Sequence, residues 1–143
     1  PAPIEPVIMQ LEFRVEHTLD EIWTMTENKP SAALQNALQR AASENVRVSA
    51  QGLKDLGYFF ANGFAGVTEN DAFANQLYGL SLEVSDGKNI QALHDLGYQA
   101  LHGFGMEKDF NMAHDMLAAA HKGGHPLSSP MLQYMQTHNL VPR

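Results

Sequence analysis

Two stretches of the chain repeat the same spacing of apolar and small residues. In the first stretch these residues are Leu53, Leu56, Gly57, Phe60 and Ala61. In the second they are Leu93, Leu96, Gly97, Ala100 and Leu101. Because an α-helix turns once about every 3.6 residues, steps of three and four place all five on one face. The pattern predicts equivalent amphipathic helices at 50–62 and 90–102.

Each of these helices is followed by a glycine turn and a second apolar stripe. The turns are Asn62-Gly63-Phe64 and His102-Gly103-Phe104. The second stripes are Phe73, Ala74, Leu77, Leu80 and Ser81 in one unit, and Met112, Ala113, Met116, Ala119 and Ala120 in the next. Gly87 and Gly123-Gly124 lie where these second helices should end. We therefore predict that 50–62 pairs with 70–84, and 90–102 with 109–122.

A glycine lies in the middle of both first helices, at Gly57 and Gly97. Glycine inside a helix costs about 1 kcal/mol relative to alanine. Its presence at the same position twice predicts that a neighbouring element approaches closely there. The alternative is that both glycines are neutral.

Weaker versions of the pattern lie on either side. Leu34, Leu38, Ala41 and Ala42 predict a helix at 31–44 that ends at a left-handed Asn45. Thr18 and Glu21 have the spacing of a capping box, which predicts a short helix at 19–27 as its partner. Near the other end, Pro126 suits a first helical turn. Leu127, Met131, Tyr134 and Met135 then predict a lone capping helix at 126–137.

The N-terminal segment fits two structures. Residues 7–15 alternate apolar and polar side chains, which favours an extended strand. Ile4, Ile8, Leu11 and Val15 also fit one helical face, and of the two structures we predict the extended one. An unpaired strand would invite pairing with a second copy of the chain, so we predict that a homodimer forms through residues 7–15. The alternative is that the segment covers the first helix pair.

Composition narrows the class of partner. The chain has 143 residues, 44% of them hydrophobic, which is enough for one domain with a core. Its net charge of −7 argues against nucleic acid and against an anionic membrane surface. It has no cysteine, and no apolar run approaches the roughly 20 residues of a membrane span, so we expect no membrane insertion.

The termini suggest processing. We expect a cytoplasmic protein that has lost its initiator methionine before Pro1, with the periplasm as the alternative if a signal peptide was removed. Residues 140–143, Leu-Val-Pro-Arg, match what thrombin leaves of a C-terminal tag, so we exclude them from functional reasoning.

The two units resemble the Sel-one-like repeat family, which is related to the tetratricopeptide repeat. The matching residues are Leu56-Gly57, Phe60, Gly63, Gly66, Ala74 and Leu77 in one unit, and Ala92, Leu96-Gly97, Gly103, Gly105, Asp109, Ala113, Met116, Ala119-Ala120 and Gly123 in the next. The departures are Ala100 in place of an aromatic residue, Leu77 and Met116 in place of tryptophan, and a longer loop at 85–88.

The resemblance implies an all-α fold. It would be a right-handed α-α superhelix of about three helix pairs with a C-terminal capping helix, occupying residues 18–139 after an extension at 1–17. Members of the family are scaffolds or adaptors in bacterial signalling, secretion and envelope processes, and they share no catalytic residues. The resemblance therefore implies a protein that binds another protein or peptide through its concave face.

The first helix of each pair usually lines that concave face, so its positions outside the apolar stripe are the candidates for partner binding. They are Lys54, Tyr58 and Asn62 in one unit, and His94, Tyr98 and His102 at the same positions in the next. Tyrosines combine apolar area with a hydroxyl, which suits peptide binding. The alternative is that both tyrosines pack between adjacent first helices.

Most of the histidines lie in the last third of the chain, which raises a metal- or ligand-responsive site as the alternative function. His121 and His125 have the spacing of helical metal ligands, but the glycines between them break the helix. No nucleophile elbow, phosphate loop or metalloprotease motif is present. We therefore expect no enzyme, no metal ligands and no cofactor.

Overall fold

A computed structural model describes the backbone of residues 4–141 and the side chains from residue 10 onward. Within this range the chain forms seven α-helices and no strand. They are α1 (Ile4–Met25), α2 (Ala32–Ala41), α3 (Val46–Asn62), α4 (Asp71–Val84), α5 (Ile90–His102), α6 (Phe110–Lys122) and α7 (Ser128–Thr137). The predicted all-α class is confirmed for this part of the chain.

The starts of α2 to α6 are set by side-chain caps. The capping residues are Ser31, Asn45, Asn70, Asn89 and Asp109, and each side-chain oxygen accepts a hydrogen bond from the backbone N–H three residues later. Such an oxygen satisfies a donor that has no partner within the helix. The prediction that Asn45 ends α2 in a left-handed conformation is wrong, because its φ is −74° and it caps α3 instead.

The two predicted units share the same turn between their helices. Gly63 and Gly103 end α3 and α5 in the left-handed conformation, with φ of 67° and 72°. Further on, the N–H of Asn70 donates to the Phe60 carbonyl over 2.7 Å, and the N–H of Asp109 donates to the Ala100 carbonyl over 3.0 Å. The two predicted first helices therefore end in the same glycine turn, and a backbone hydrogen bond closes each connection, which is one residue longer in the first unit.

The N-terminal segment is helical, so the prediction of an extended strand over residues 7–15 is wrong. One face of α1 is buried at Val15, Thr18, Leu19 and Ile22, a spacing that only a helix places together. The predicted capping box is also wrong, because Thr18 lies inside α1 and its hydroxyl donates to the Arg14 carbonyl. The strand edge that was to join two copies of the chain is absent from the described residues.

Helix α1 runs without a break across residues 17 and 18, the position of the predicted domain boundary. It packs against α2 and α4. Arg14 donates two hydrogen bonds of 2.8 Å to the Glu83 carboxylate, which links α1 to α4 at an exposed site. No helix within residues 4–141 is long and apolar enough to cross a membrane.

The core follows the order of the helices, since each helix from α2 onward packs against the next one in the sequence. The predicted α4 face is buried throughout. The predicted α6 face needs correction, because Ala119 is exposed and Leu117 is buried in its place. Ala42, which directly follows α2, is likewise exposed. Leu127, which directly precedes α7, and Tyr134 within α7 are exposed, while Met135 is buried.

The glycines in α3 and α5 do lie against close neighbours. A Cβ atom on Gly57 would lie 2.6 Å from the Tyr78 ring of α4, which is closer than real Cβ contacts. A Cβ atom on Gly97 would lie 3.0 Å from Leu117 of α6. Both first helices therefore receive a large side chain from the following helix at the glycine.

At the C-terminal end, Leu140 and Val141 are partly buried against the hydrophobic cluster around Leu117 and Met135. The N–H of Leu140 donates to the Met135 carbonyl over 2.7 Å. Residues 142 and 143, the rest of the predicted tag remnant, lie outside the described residues.

Candidate functional site

A cavity of about 420 Å³ opens between α3, α4, α5 and the loops that follow α3 and α5. Four of the six predicted partner-binding residues line it: Tyr58, Asn62, His94 and Tyr98. Lys54 and His102 lie near its edge without lining it. The other lining residues are Ala61, Glu69, Asp71, Tyr78, Asp95, Gln99 and Phe104.

Aromatic rings form the mouth of this cavity. Tyr58 and Tyr98 are 44% and 38% exposed, so they do not serve only as packing between adjacent first helices. The Tyr58 ring centroid lies 5.7 Å from that of Phe64, and Tyr98 lies 6.0 Å from Phe104. Each tyrosine thus has a phenylalanine from its own glycine turn beside it. His102 joins the second cluster, with its ring centroid 4.4 Å from Tyr98.

Tyr78 forms an inner wall of the cavity and was not predicted as a site residue. It is only 2% exposed, and its ring lies against the backbone of α3 at Gly57. Burial raises the pKa of its hydroxyl, which therefore stays protonated. Its position four residues after Ala74 places it on the buried face of α4, but this spacing alone does not indicate that it lines a cavity.

The remaining lining is acidic. Glu69 precedes α4, Asp71 begins α4, and Asp95 lies on α5. The Asp71 carboxylate accepts a hydrogen bond of 3.1 Å from the Gln99 side chain. Burial raises the pKa of Asp95 to about 6, while nearby Lys54 lowers it by a smaller amount. Asp95 is therefore ionised at neutral pH at a cost to the stability of the fold.

Lys54 compensates the acidic lining only in part. Its ammonium lies 3.0 Å from the Asp55 carboxylate, and Arg40 binds the same carboxylate over 2.7 Å. The Lys54 ammonium also lies 5.5 Å from the centre of the Tyr58 ring. Both cations near the edge thus belong to an ion-pair cluster centred on Asp55, next to the cavity.

Replacing Asp95 with asparagine should stabilise the protein at neutral pH. The folded-state pKa of about 6 lies above the ordinary value of 3.8, so the folded protein favours the protonated acid. Ionisation removes stability as the pH rises through this interval, by about 3 kcal/mol in total. In urea titrations, the free energy of unfolding of Asp95→Asn should equal that of the wild type below pH 3.8. Above pH 6 it should exceed the wild-type value by about the amount that ionisation removes.

The exposed Asp115→Asn on α6 is the matched control, because it removes the same charge without relieving burial. Comparing each variant with the wild type at the same pH cancels the titration of every other group. An Asp95→Asn advantage that does not grow with pH would contradict the assignment of a buried, ionised carboxylate.

His94 is a buried residue that joins α5 to the start of α7. Its Nδ1 lies 2.7 Å from the Ser128 hydroxyl, and its ring stacks on that of His125 with centroids 3.9 Å apart. Burial, followed by the neighbouring His125, lowers the pKa of His94 to about 4, so the ring is neutral at physiological pH. No group of three or more histidine, aspartate or glutamate side chains that could hold a metal occurs among the described residues.

A second cavity, of about 630 Å³, lies between the end of α1, the start of α2 and the loop at 65–70. It contains none of the predicted partner-binding residues. Its two charged lining residues are Lys29 and Glu69, which carry opposite signs. The first cavity is therefore the better candidate, because it combines the repeated tyrosines with a lining of one sign.

The chain matches no known protein family, no curated protein and no solved structure. The resemblance to Sel-one-like repeats thus stays a prediction based on the residues that carry it.

Proposed function

We propose that this protein is a non-enzymatic interaction module that binds a partner protein or peptide across α3 and α5. The proposal rests on the positions of Tyr58 and Tyr98. These residues occupy equivalent positions of the two helices, are half-exposed and line the same cavity. Tyrosines are enriched among the residues that dominate binding energy, because they bury a large apolar area and still form a hydrogen bond.

The arrangement of the first helices supports this proposal. Gln51 on α3 donates a hydrogen bond of 3.2 Å to Gln91 on α5, and Asn89 donates one of 3.3 Å to Gln51. The two helices thus lie side by side and present their tyrosines together. We propose that they belong to a right-handed superhelix of Sel-one-like type and that their shared face is the concave one.

A binding role is also favoured over catalysis by the state of the titratable groups. His94 is the imidazole that lines the cavity, and its Nδ1 is engaged by Ser128 while His125 covers a ring face. A general base works best when its pKa lies near the working pH. Burial, followed by the neighbouring His125, lowers the pKa of His94 to about 4, so its ring is a weak base at neutral pH. Its contact with Ser128 suits it to fixing the position of α7.

The double variant Tyr58→Ala with Tyr98→Ala should lower partner affinity at least about tenfold, since each anchor of this type contributes roughly 1 kcal/mol or more. The variant should remain folded with a loss of about 1–3 kcal/mol in the free energy of unfolding, because each ring is only about half buried. The partner is first isolated with the wild-type protein from the native cell, then purified and titrated calorimetrically against wild type and variant.

Tyr134→Ala provides the control. This tyrosine is 45% exposed, as the two anchors are, but it lies on α7 and does not line the cavity. Partner affinity should be unchanged in this variant. If the double variant binds as tightly as Tyr134→Ala, α3 and α5 do not form the binding face.

A further inference from the structure

The cavity between α3, α4 and α5 has a negative lining. Its carboxylates are Glu69, Asp71 and Asp95, and none of its lining residues is a lysine or arginine. With Asp55 next to it, four carboxylates face the two cations Lys54 and Arg40. The excess of negative charge attracts a cation, and a cavity wall screens this attraction less than open solvent does.

The aromatic walls are suited to the same kind of ligand. Tyr58, Tyr98 and Phe104 surround the mouth, and Tyr78 forms an inner wall. The face of an aromatic ring attracts a guanidinium or ammonium group, most strongly where water is excluded. Carboxylates and aromatic rings in one lining thus offer two kinds of favourable contact to a cation on an apolar stem.

The Tyr78 hydroxyl adds a polar group to this lining. The residue is 2% exposed overall and lines the cavity. Its hydroxyl oxygen is not enclosed, because Asn75 Oδ1 is the one buried side-chain atom without a hydrogen-bond partner among the described residues. The oxygen is therefore open to the cavity and could accept a hydrogen bond from an N–H group of a bound cation.

We propose that this cavity binds the cationic head of an arginine or lysine side chain that the partner presents. The inference rests on the proposed function and names the chemistry that the partner must bring. The volume of about 420 Å³ lies near the lower end of ligand sites, which suits one side chain better than a large ligand. The net charge of −7 favours encounter with a basic segment.

The test uses four peptides that differ at one position. The probe is acetyl-Gly-Gly-Arg-Gly-Gly-amide, and in the others lysine, citrulline or norleucine replaces the arginine. Each is titrated into nitrogen-15-labelled protein, and amide shifts are followed at Asp71, Asp95 and Tyr98. Arginine and lysine should give saturable shifts at these amides that weaken with added salt. Citrulline, which keeps the shape of arginine without its charge, and norleucine should bind at least about tenfold more weakly.

Charge-neutralising variants locate the site. The double variant Asp71→Asn with Asp95→Asn should bind the arginine peptide at least about tenfold more weakly than the wild type does. Asp20→Asn combined with Asp115→Asn removes the same charge from exposed positions on α1 and α6 and should leave binding unchanged. If the first double variant fails to fold, the single variant Glu69→Gln in the exposed loop replaces it. Its affinity for the arginine peptide should fall by a smaller factor. The inference would be overturned if the wild-type protein bound the arginine and citrulline peptides with equal affinity. It would also be overturned if both double variants lost the same amount of affinity for the arginine peptide.

These outcomes separate the inference from the proposed function. The interaction module is supported if the tyrosine double variant loses the partner. If that partner still binds the protein with neutralised Asp71 and Asp95, and the arginine peptide causes no shifts, the cavity is not a cation site. If the tyrosine variant keeps the partner while the arginine peptide binds as expected, the cavity binds cations but α3 and α5 are not the partner-binding face.

Discussion

Gly52→Ala should lower the free energy of unfolding by about 2–3 kcal/mol, because there is no room for a methyl group at this position. A Cβ atom on Gly52 would lie 2.4 Å from the Ala41 backbone nitrogen and 2.9 Å from the Ala37 carbonyl oxygen. These atoms belong to the backbone of α2, which cannot rotate away as a side chain can. The only relief is to move α2 away from α3.

Moving α2 would also strain a buried hydrogen bond. The Ser49 hydroxyl donates to the Ala41 carbonyl over 2.7 Å at the same contact. Leaving such a group unpaired costs about 1–3 kcal/mol. The gain in helix propensity from glycine to alanine, at most about 1 kcal/mol, offsets only part of this loss.

Gly79→Ala is the control, measured in the same urea titration followed by far-UV circular dichroism. Gly79 also lies inside a helix, α4, but a Cβ atom there would meet nothing within 4 Å. Alanine at this position should stabilise the protein by about 0.5–1 kcal/mol through propensity alone. A Gly52→Ala variant as stable as the wild type would show that α2 and α3 do not pack as closely as described.

The repeated part of the chain could be predicted from sequence because two copies of one pattern support each other. Predicted helices at 50–62, 70–84, 90–102 and 109–122 agree with α3 to α6 apart from a few residues at their ends. The segment at 7–15 has no second copy. Its apolar residues fit both a strand and a helix, and only contacts far along the chain, to α2 and α4, decide for the helix.

The candidate site was predicted in part for the same reason. Tyr58 and Tyr98 could be identified because they occupy equivalent positions in the two units. Glu69, Asp71 and Tyr78 could not, because they come from a loop and from the second helix and reach the cavity only when α4 packs on α3. Gly52 was also missed, since its equivalent in the second unit is Ala92 and no repeat marks the position.

Gly105→Ala should lower the free energy of unfolding by about 2–5 kcal/mol, with two separable causes. Gly105 has φ of +70°, a conformation that costs a residue with a side chain about 1–2 kcal/mol. A Cβ atom there would also lie 2.5 Å from the backbone of Asp71 and Ala72, and such overpacking costs a further 1–3 kcal/mol or so.

Gly66→Ala separates the two causes. Gly66 lies in the loop after α3 with φ of +86°, but a Cβ atom there meets nothing within 4 Å. The free energy of unfolding of Gly66→Ala should fall only by the cost of the left-handed conformation, about 1 kcal/mol. Ala65, with φ of 57°, already shows that this loop accepts a left-handed alanine where space allows. Equal losses in Gly66→Ala and Gly105→Ala would mean that the contact with α4 contributes nothing.

The Gly105 contact also holds the cavity together, so the two variants should differ in binding as well. The loop that contains Gly105 carries Phe104, whose carbonyl accepts a hydrogen bond of 2.8 Å from Asn75 on α4. Moving this loop away from the start of α4 separates the Phe104 ring from Asp71 across the cavity mouth. At temperatures where both variants are fully folded, calorimetry should show weaker partner binding for Gly105→Ala and near wild-type binding for Gly66→Ala. Such a difference cannot come from loss of stability, and it would place the loop after α5 within the binding face.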